Sequence, residues 1–229
     1  FGALSALIGP DLMGGIQIKG RGGMDVALTG KTSKPSVQGK LRIDQMDLTL
    51  QEPATYISEV VGSLVFTGQN IEITNIKGYL GKSPLTAAGS YNIAKNRMSI
   101  DVTAKHLDLA TLPKELGFEE LPTTGKVDFK GRITGQIESP IVRGEVSSSK
   151  FSAYDVEITD FSSGIRYDGK SLGLKSLKAT VYEGSIAGDA EIYVEDKSMP
   201  FDAVVNVRAI SLSQAVQSLS ASPTSNQEL

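Results

Sequence analysis

The strongest constraint on this chain is that it is written twice. Ile16-Gln17-Ile18-Lys19-Gly20-Arg21 returns as Val127-Asp128-Phe129-Lys130-Gly131-Arg132, with the same apolar alternation and the same Lys-Gly-Arg ending. Pro35-Ser36-Val37-Gln38-Gly39 matches Pro140-Ile141-Val142-Arg143-Gly144, and Leu64, Phe66 and Gly68 fall on Ile165, Tyr167 and Gly169. Ile71, Ile73 and Ile76 fall on Leu172, Leu174 and Leu177, and the run Ile100 to Lys105 resembles Ala203 to Arg208. One unit of about 105 residues is therefore used twice, and the fold must let that unit join its own copy.

Inside each unit the apolar period is two. Met98, Ile100, Val102 and Ala104 point one way while Ser99, Asp101, Thr103 and Lys105 point the other, the pattern of a sheet with one dry and one wet face. Thr67-Gly68-Gln69-Asn70, Tyr167-Asp168-Gly169-Lys170 and Val194-Glu195-Asp196-Lys197 are turn-rich and hairpin-length, so consecutive strands pair antiparallel in a meander. The 24 glycines fit many short strands joined by tight turns. Two equivalent places break the alternation. Leu107 to Leu116 and Leu212 to Leu219 each read as a short amphipathic helix after a strand, with Pro113 confined to the first turn. The chain then divides into residues 1–15, the helical end of a preceding unit; 16–120, a first unit ending in a helix; 121–220, a second; and a tail, 221–229. It reads as a piece cut from a longer protein.

Composition removes several functions. With no cysteine and a single histidine, His106, disulfide scaffolds and His- or Cys-based metal sites are excluded. The 23 basic and 26 acidic residues form no like-charged run, so no nucleic-acid footprint exists. No nucleophile elbow or phosphate loop is present; Gly20-Arg21-Gly22-Gly23 is flanked by strands and reads as a bulge or turn. Glu115, Glu119 and Glu120 read as a solvated helix face. No catalytic residue, metal ligand set or cofactor is expected, and the chain is not expected to be an enzyme. Carbohydrate binding is disfavoured by the absence of tryptophan and the 6% aromatic content.

The succession from Lys126 to Gly144, through Gly164-Ile165-Arg166-Tyr167-Asp168-Gly169 and the Leu172/Leu174/Leu177 strand, to Tyr182-Glu183-Gly184-Ser185-Ile186-Ala187-Gly188, resembles the repeating unit of the AsmA-like proteins, the TamB branch in particular. That resemblance implies an all-β fold with short helices: an elongated antiparallel sheet curled into an open groove (a β-taco), with a greasy concave face. It further implies a bridge-like lipid transfer protein in the cell envelope. The full-length protein would be anchored in the inner membrane, span the periplasm and meet an outer-membrane barrel protein, serving phospholipid traffic and outer-membrane protein assembly.

The residues give that expectation a physical form, because an aliphatic face nearly free of charge solvates acyl chains at about 0.8 kcal/mol per buried methylene. The candidate lipid-groove lining is Leu64, Phe66, Ile71, Ile73, Ile100, Val102, Phe129, Ile133, Val156, Ile158, Ile165, Tyr167, Leu172, Leu174, Val205 and Val207. The expected partner is a phospholipid or other acyl lipid. Alternation alone does not separate an open groove from tandem closed β-sandwiches serving a structural or adhesive role. The helix after Leu107 either plugs the trough or covers a sheet edge, and edge cover is the favoured role.

Overall fold

A computed structural model of the chain describes residues 16–31, 34–51, 54–115, 122–195 and 200–211, with the single positions 198 and 213. The expected helix at Leu212 to Leu219, the segment 1–15 and the tail 221–229 lie outside the described residues, apart from Ser213.

The described chain is almost entirely β. Its strands are β1 (Ile16–Lys31), β2 (Lys34–Gln51), β3 (Ala54–Gly68), β4 (Asn70–Leu80), β5 (Ser83–Asn92), β6 (Arg97–Asp108), β7 (Thr123–Gly135), β8 (Pro140–Ala153), β9 (Val156–Tyr167), β10 (Ser171–Val181), β11 (Gly184–Tyr193) and β12 (Phe201–Arg208), with one short helix, α1 (Leu112–Glu115), between β6 and β7. All twelve strands form one antiparallel sheet in the order of the sequence. Among the described residues no ladder joins β1 to β12, so the sheet is an open groove, not a barrel. The two units do not fold into separate sandwiches: Ile100 pairs with Ile133 and Asp101 with Arg132 across the β6–β7 junction, carrying the sheet from one unit into the next.

Short connections enforce this meander. Tyr154-Asp155 and Tyr182-Glu183 are two-residue hairpin loops with φ of 49° and 62°, and 49° and 63°, the left-handed pair that matches strand twist. Long strands cannot stay straight while one face is kept dry, and bulges provide the bend. Glu59, Asn75 and His106 have φ of 53°, 52° and 57°, and their counterparts one unit later, Asp160, Ser176 and Ala209, have 52°, 51° and 55°. The repeat is thus preserved at its irregular positions. Each bulge resets the alternation, so Ile73 and Ile76 share a face, as do Leu174 and Leu177, and Ala104 and Leu107.

Neighbouring carboxylates hold several bulges in place. The exposed backbone N–H groups of Glu59, His106 and Ser176 donate to Asp47 (3.1 Å), Asp128 (2.7 Å) and Asp189 (2.8 Å), each on the adjacent strand. Backbone donation by Ser176, aided by Lys175, holds the Asp189 carboxyl below its ordinary range. Donation by Ser171 and Lys170 does the same for Asp168 at the β9–β10 turn.

Glycine has a second use beyond turns. Gly39 sits mid-strand at φ 146°, where a Cβ would come within 2.1 Å of the Asp25 carbonyl oxygen, so only glycine allows β1 and β2 to meet there. Gly131 and Gly144 face each other across β7 and β8, and the Phe129 ring occupies the space their missing side chains leave.

Candidate functional site: the apolar face of the sheet

Strand register decides which side chains share a face, because directly paired residues point the same way. Leu64 pairs with Ile73 and Phe66 with Ile71; Ile71 pairs with Tyr91, and Tyr91 with Met98. Ile100 lies opposite Ile133, Val102 opposite Gly131 and Phe129 opposite Ala104. Ile133 pairs with Val142, which pairs with Tyr167, and Ile165 pairs with Gly144. Tyr167 and Ile165 continue to Leu172 and Leu174, and β11 carries the row through Gly188 and Ile186 to Val205 and Val207. Val156 and Ile158 join the same face beyond the Asp160 bulge, beside Ala153 and Phe151. All sixteen candidate lining residues therefore lie on one face. That placement fixes the direction of their side chains and leaves their ligand to be proposed.

Packing along this face is uneven. Its densest part centres on buried Val37, Leu41, Ile43, Met46, Val60, Phe66, Ile71 and Tyr91. A second cluster has Ala104, Leu107 and Val127 at its centre, and Phe151 meets Phe161 edge-on at 5.3 Å. Of the sixteen, Phe66 and Ile71 are buried; the others are half-buried except Val205 and Val207, each 49% exposed. No large side chain among the described residues is completely sealed from solvent, unlike the centre of a closed core.

Sequence reasoning passed over Leu41, Ile43, Met46 and Val60, which lie on the same face beside bulges. The signal was present: Ile43 and Met46 are three apart, an interval that makes sense in a strand only if a bulge intervenes.

The face offers almost no polar chemistry. Its buried hydroxyls are satisfied internally: Ser83 donates to the His106 carbonyl (3.0 Å), Ser148 to that of Lys126 (2.6 Å), and Ser163 to those of Gly164 and Lys175 (3.0 and 3.2 Å). Among the described residues no buried side-chain nitrogen or oxygen lacks a partner, and no cluster of three possible metal ligands occurs. Charged groups stand on the opposite face, where Arg132 pairs with Asp101 at 2.6 Å, both well exposed. That pair holds the Asp101 carboxyl below its ordinary range. His106 lies exposed at its bulge, with Nδ1 3.4 Å from Asp128.

Helix α1 corrects one expectation. Leu109 and Leu112 pack against the Ala104–Leu107–Val127 cluster together with Leu80 and Leu85, and α1 also lies against β3, an interior strand. The helix sits over the apolar face, while the sheet edges are β1 and β12. The Leu109 N–H donates to Gly125 (2.9 Å) and Thr123 donates to the Leu109 carbonyl (2.8 Å), which draws the segment inward. Strand β6 runs through Leu107 and Asp108, and among the described residues the helix itself covers only Leu112–Glu115.

No family model matches the chain, and no solved structure matches it. Two curated proteins align with more than half of it. The chain is similar to plant chloroplast proteins. Over 142 residues, 59% of the chain, it is 26% identical to Protein TIC236, chloroplastic, of Arabidopsis thaliana. Over 132 residues, 55% of the chain, it is 24% identical to Protein SUBSTANDARD STARCH GRAIN 4, chloroplastic, of Oryza sativa subsp. japonica. The aligned segment spans 7% and 6% of those relatives' lengths. These matches overturn the AsmA-like and TamB assignment. Glycine plus alternation is a loose signature that an open β-sheet of any lineage satisfies, and the relatives found are chloroplast proteins. The bacterial periplasm and outer-membrane setting drawn from that assignment falls with it.

Proposed function

We propose that this chain is a non-enzymatic segment of a hydrophobic groove that holds phospholipid or other acyl chains and lets them move along the sheet. The observation that carries this reading is the dry face itself: aliphatic, carried on one sheet of twelve strands, and, among the described residues, with no unpartnered buried polar side chain and no completely sealed large side chain. Apolar surface of that extent left open to solvent marks a binding surface. A methylene chain gains roughly 0.8 kcal/mol per group buried there. With no directional polar anchor to break, it can shift position at little cost. The chloroplast naming of both relatives supports a plastid-type compartment as the setting.

The test is equilibrium titration with a fluorescent phospholipid. Val102→Asp places a charge on the apolar face and should weaken binding about tenfold or more, equivalent to roughly 1.4 kcal/mol. Thr103→Asp, on the opposite face, should change it by less than about twofold, with both variants giving the parental circular dichroism spectrum. Equal affinity in the two folded variants contradicts the proposal.

A further inference from the structure

The register of the sheet assembles a charge cluster that the linear sequence conceals. On the wet face Asp101 lies opposite Arg132, Arg132 opposite Arg143, and Arg143 opposite Arg166. Three arginines far apart in the chain thus form a row across β7, β8 and β9, with the Cα atoms of neighbours about 4.5–5.5 Å apart. Directly opposed like charges weaken a sheet. The two outer arginines are neutralised: Arg132 donates through Nε and Nη2 to both oxygens of Asp101 (2.6 and 3.0 Å), and Arg166 Nη2 lies 3.2 Å from Asp168. Among the described residues the exposed Arg143, between them, has no side-chain partner. Glu145, two residues along on the same face, stands opposite Lys130.

The fold does not require this row. In the first unit the repeat puts Gln38 where Arg143 stands and Val65 where Arg166 stands. The row through Val65 runs Asp25, Lys40, Val65, Glu72, a cation set between carboxylates. A like-charged row kept in one copy of the repeat and absent from the other points to a ligand instead of to architecture. We propose that the arginine row is a docking surface for an acidic segment of a partner protein, with Arg143 as its anchor. Carboxylate chemistry is favoured by the row itself, since both outer arginines already seat carboxylates. The planar fork of the central one matches a further carboxylate bidentately. The bordering Asp101, Asp168 and Glu145 repel a broad anionic surface such as a membrane and leave room for a narrow acidic chain laid across the strands. The row lies on the face opposite the apolar one, so this partner and a bound lipid do not compete.

The test is fluorescence anisotropy at low ionic strength, with a fluorescein-labelled peptide of alternating glutamate and serine as the probe. Arg143→Gln, the residue the first unit carries at this place, should weaken peptide binding about fivefold. Arg143→Lys, which keeps the charge and loses the fork, should fall between the two. Lys40→Gln, on the same face in the first unit, should change binding by less than about twofold, and a glutamine–serine peptide should not bind. Removing a structural arginine would lower stability, whereas removing this one relieves like-charge repulsion, so the thermal midpoint of Arg143→Gln should equal or exceed the parent's. Equal peptide affinity for the parent and Arg143→Gln, an equal loss in Lys40→Gln, a lowered midpoint, or Arg143-dependent binding of phosphatidylglycerol vesicles in place of the peptide overturns the proposal.

Discussion

Asp189 shows how single residues hold this sheet in shape. Its carboxylate accepts the Ser176 N–H at a point where the β10 ladder is interrupted, and Lys175 stands 3.4 Å away. An unfolded aspartate titrates near about 3.9, and the folded one titrates lower. The stabilisation is therefore complete above the unfolded value and is lost as pH falls through the folded one. Asp189→Asn should lower the thermal midpoint at pH 7, and the gap from the parent should close as pH falls toward about 3. A melting series across pH checks this; a constant gap would assign the effect to packing. Because the group is solvent-exposed, the difference should also shrink with added salt.

Bulges set the character of the strands. Ser176 adopts φ 51°, a conformation that costs a residue with a Cβ roughly 1–2 kcal/mol relative to glycine and a β-branched one more, so Ser176→Val should lose stability in denaturant unfolding while Ser176→Gly loses none. Strand phase was legible in the sequence because a half-buried strand must alternate, and the pairs Ile100/Val102 and Leu172/Leu174 do so without interruption. The bulges were half-legible: Ile73/Ile76 and Leu174/Leu177 are spaced by three in both units, which marks the repeat, but the positive φ at Asn75 and Ser176 that gives the spacing its meaning shows only in the structure. Helix α1 was legible as a helix and not in its position. Leu109 and Leu112 present the same apolar stripe whether they cover an edge or the middle of a face, and only long-range contact with β3 separates the two.

At the scale of the whole molecule, one continuous sheet explains why the chain is built by repetition. A unit whose last strand pairs with the first strand of the next extends the sheet at each repetition, and β6–β7 shows that joint made. An open twelve-stranded sheet instead of two sandwiches was not decidable from alternation, since both architectures need one dry face. Lineage was harder still, because glycine-punctuated alternation records architecture more than ancestry.

The central claim, that the dry face carries acyl chains, is tested most directly by photocrosslinking. A photoreactive residue at Val102 or Ile158 should capture lipid, and one at Thr103, on the opposite face, should not. Equal lipid labelling at all three sites, or labelling at none, would contradict the account.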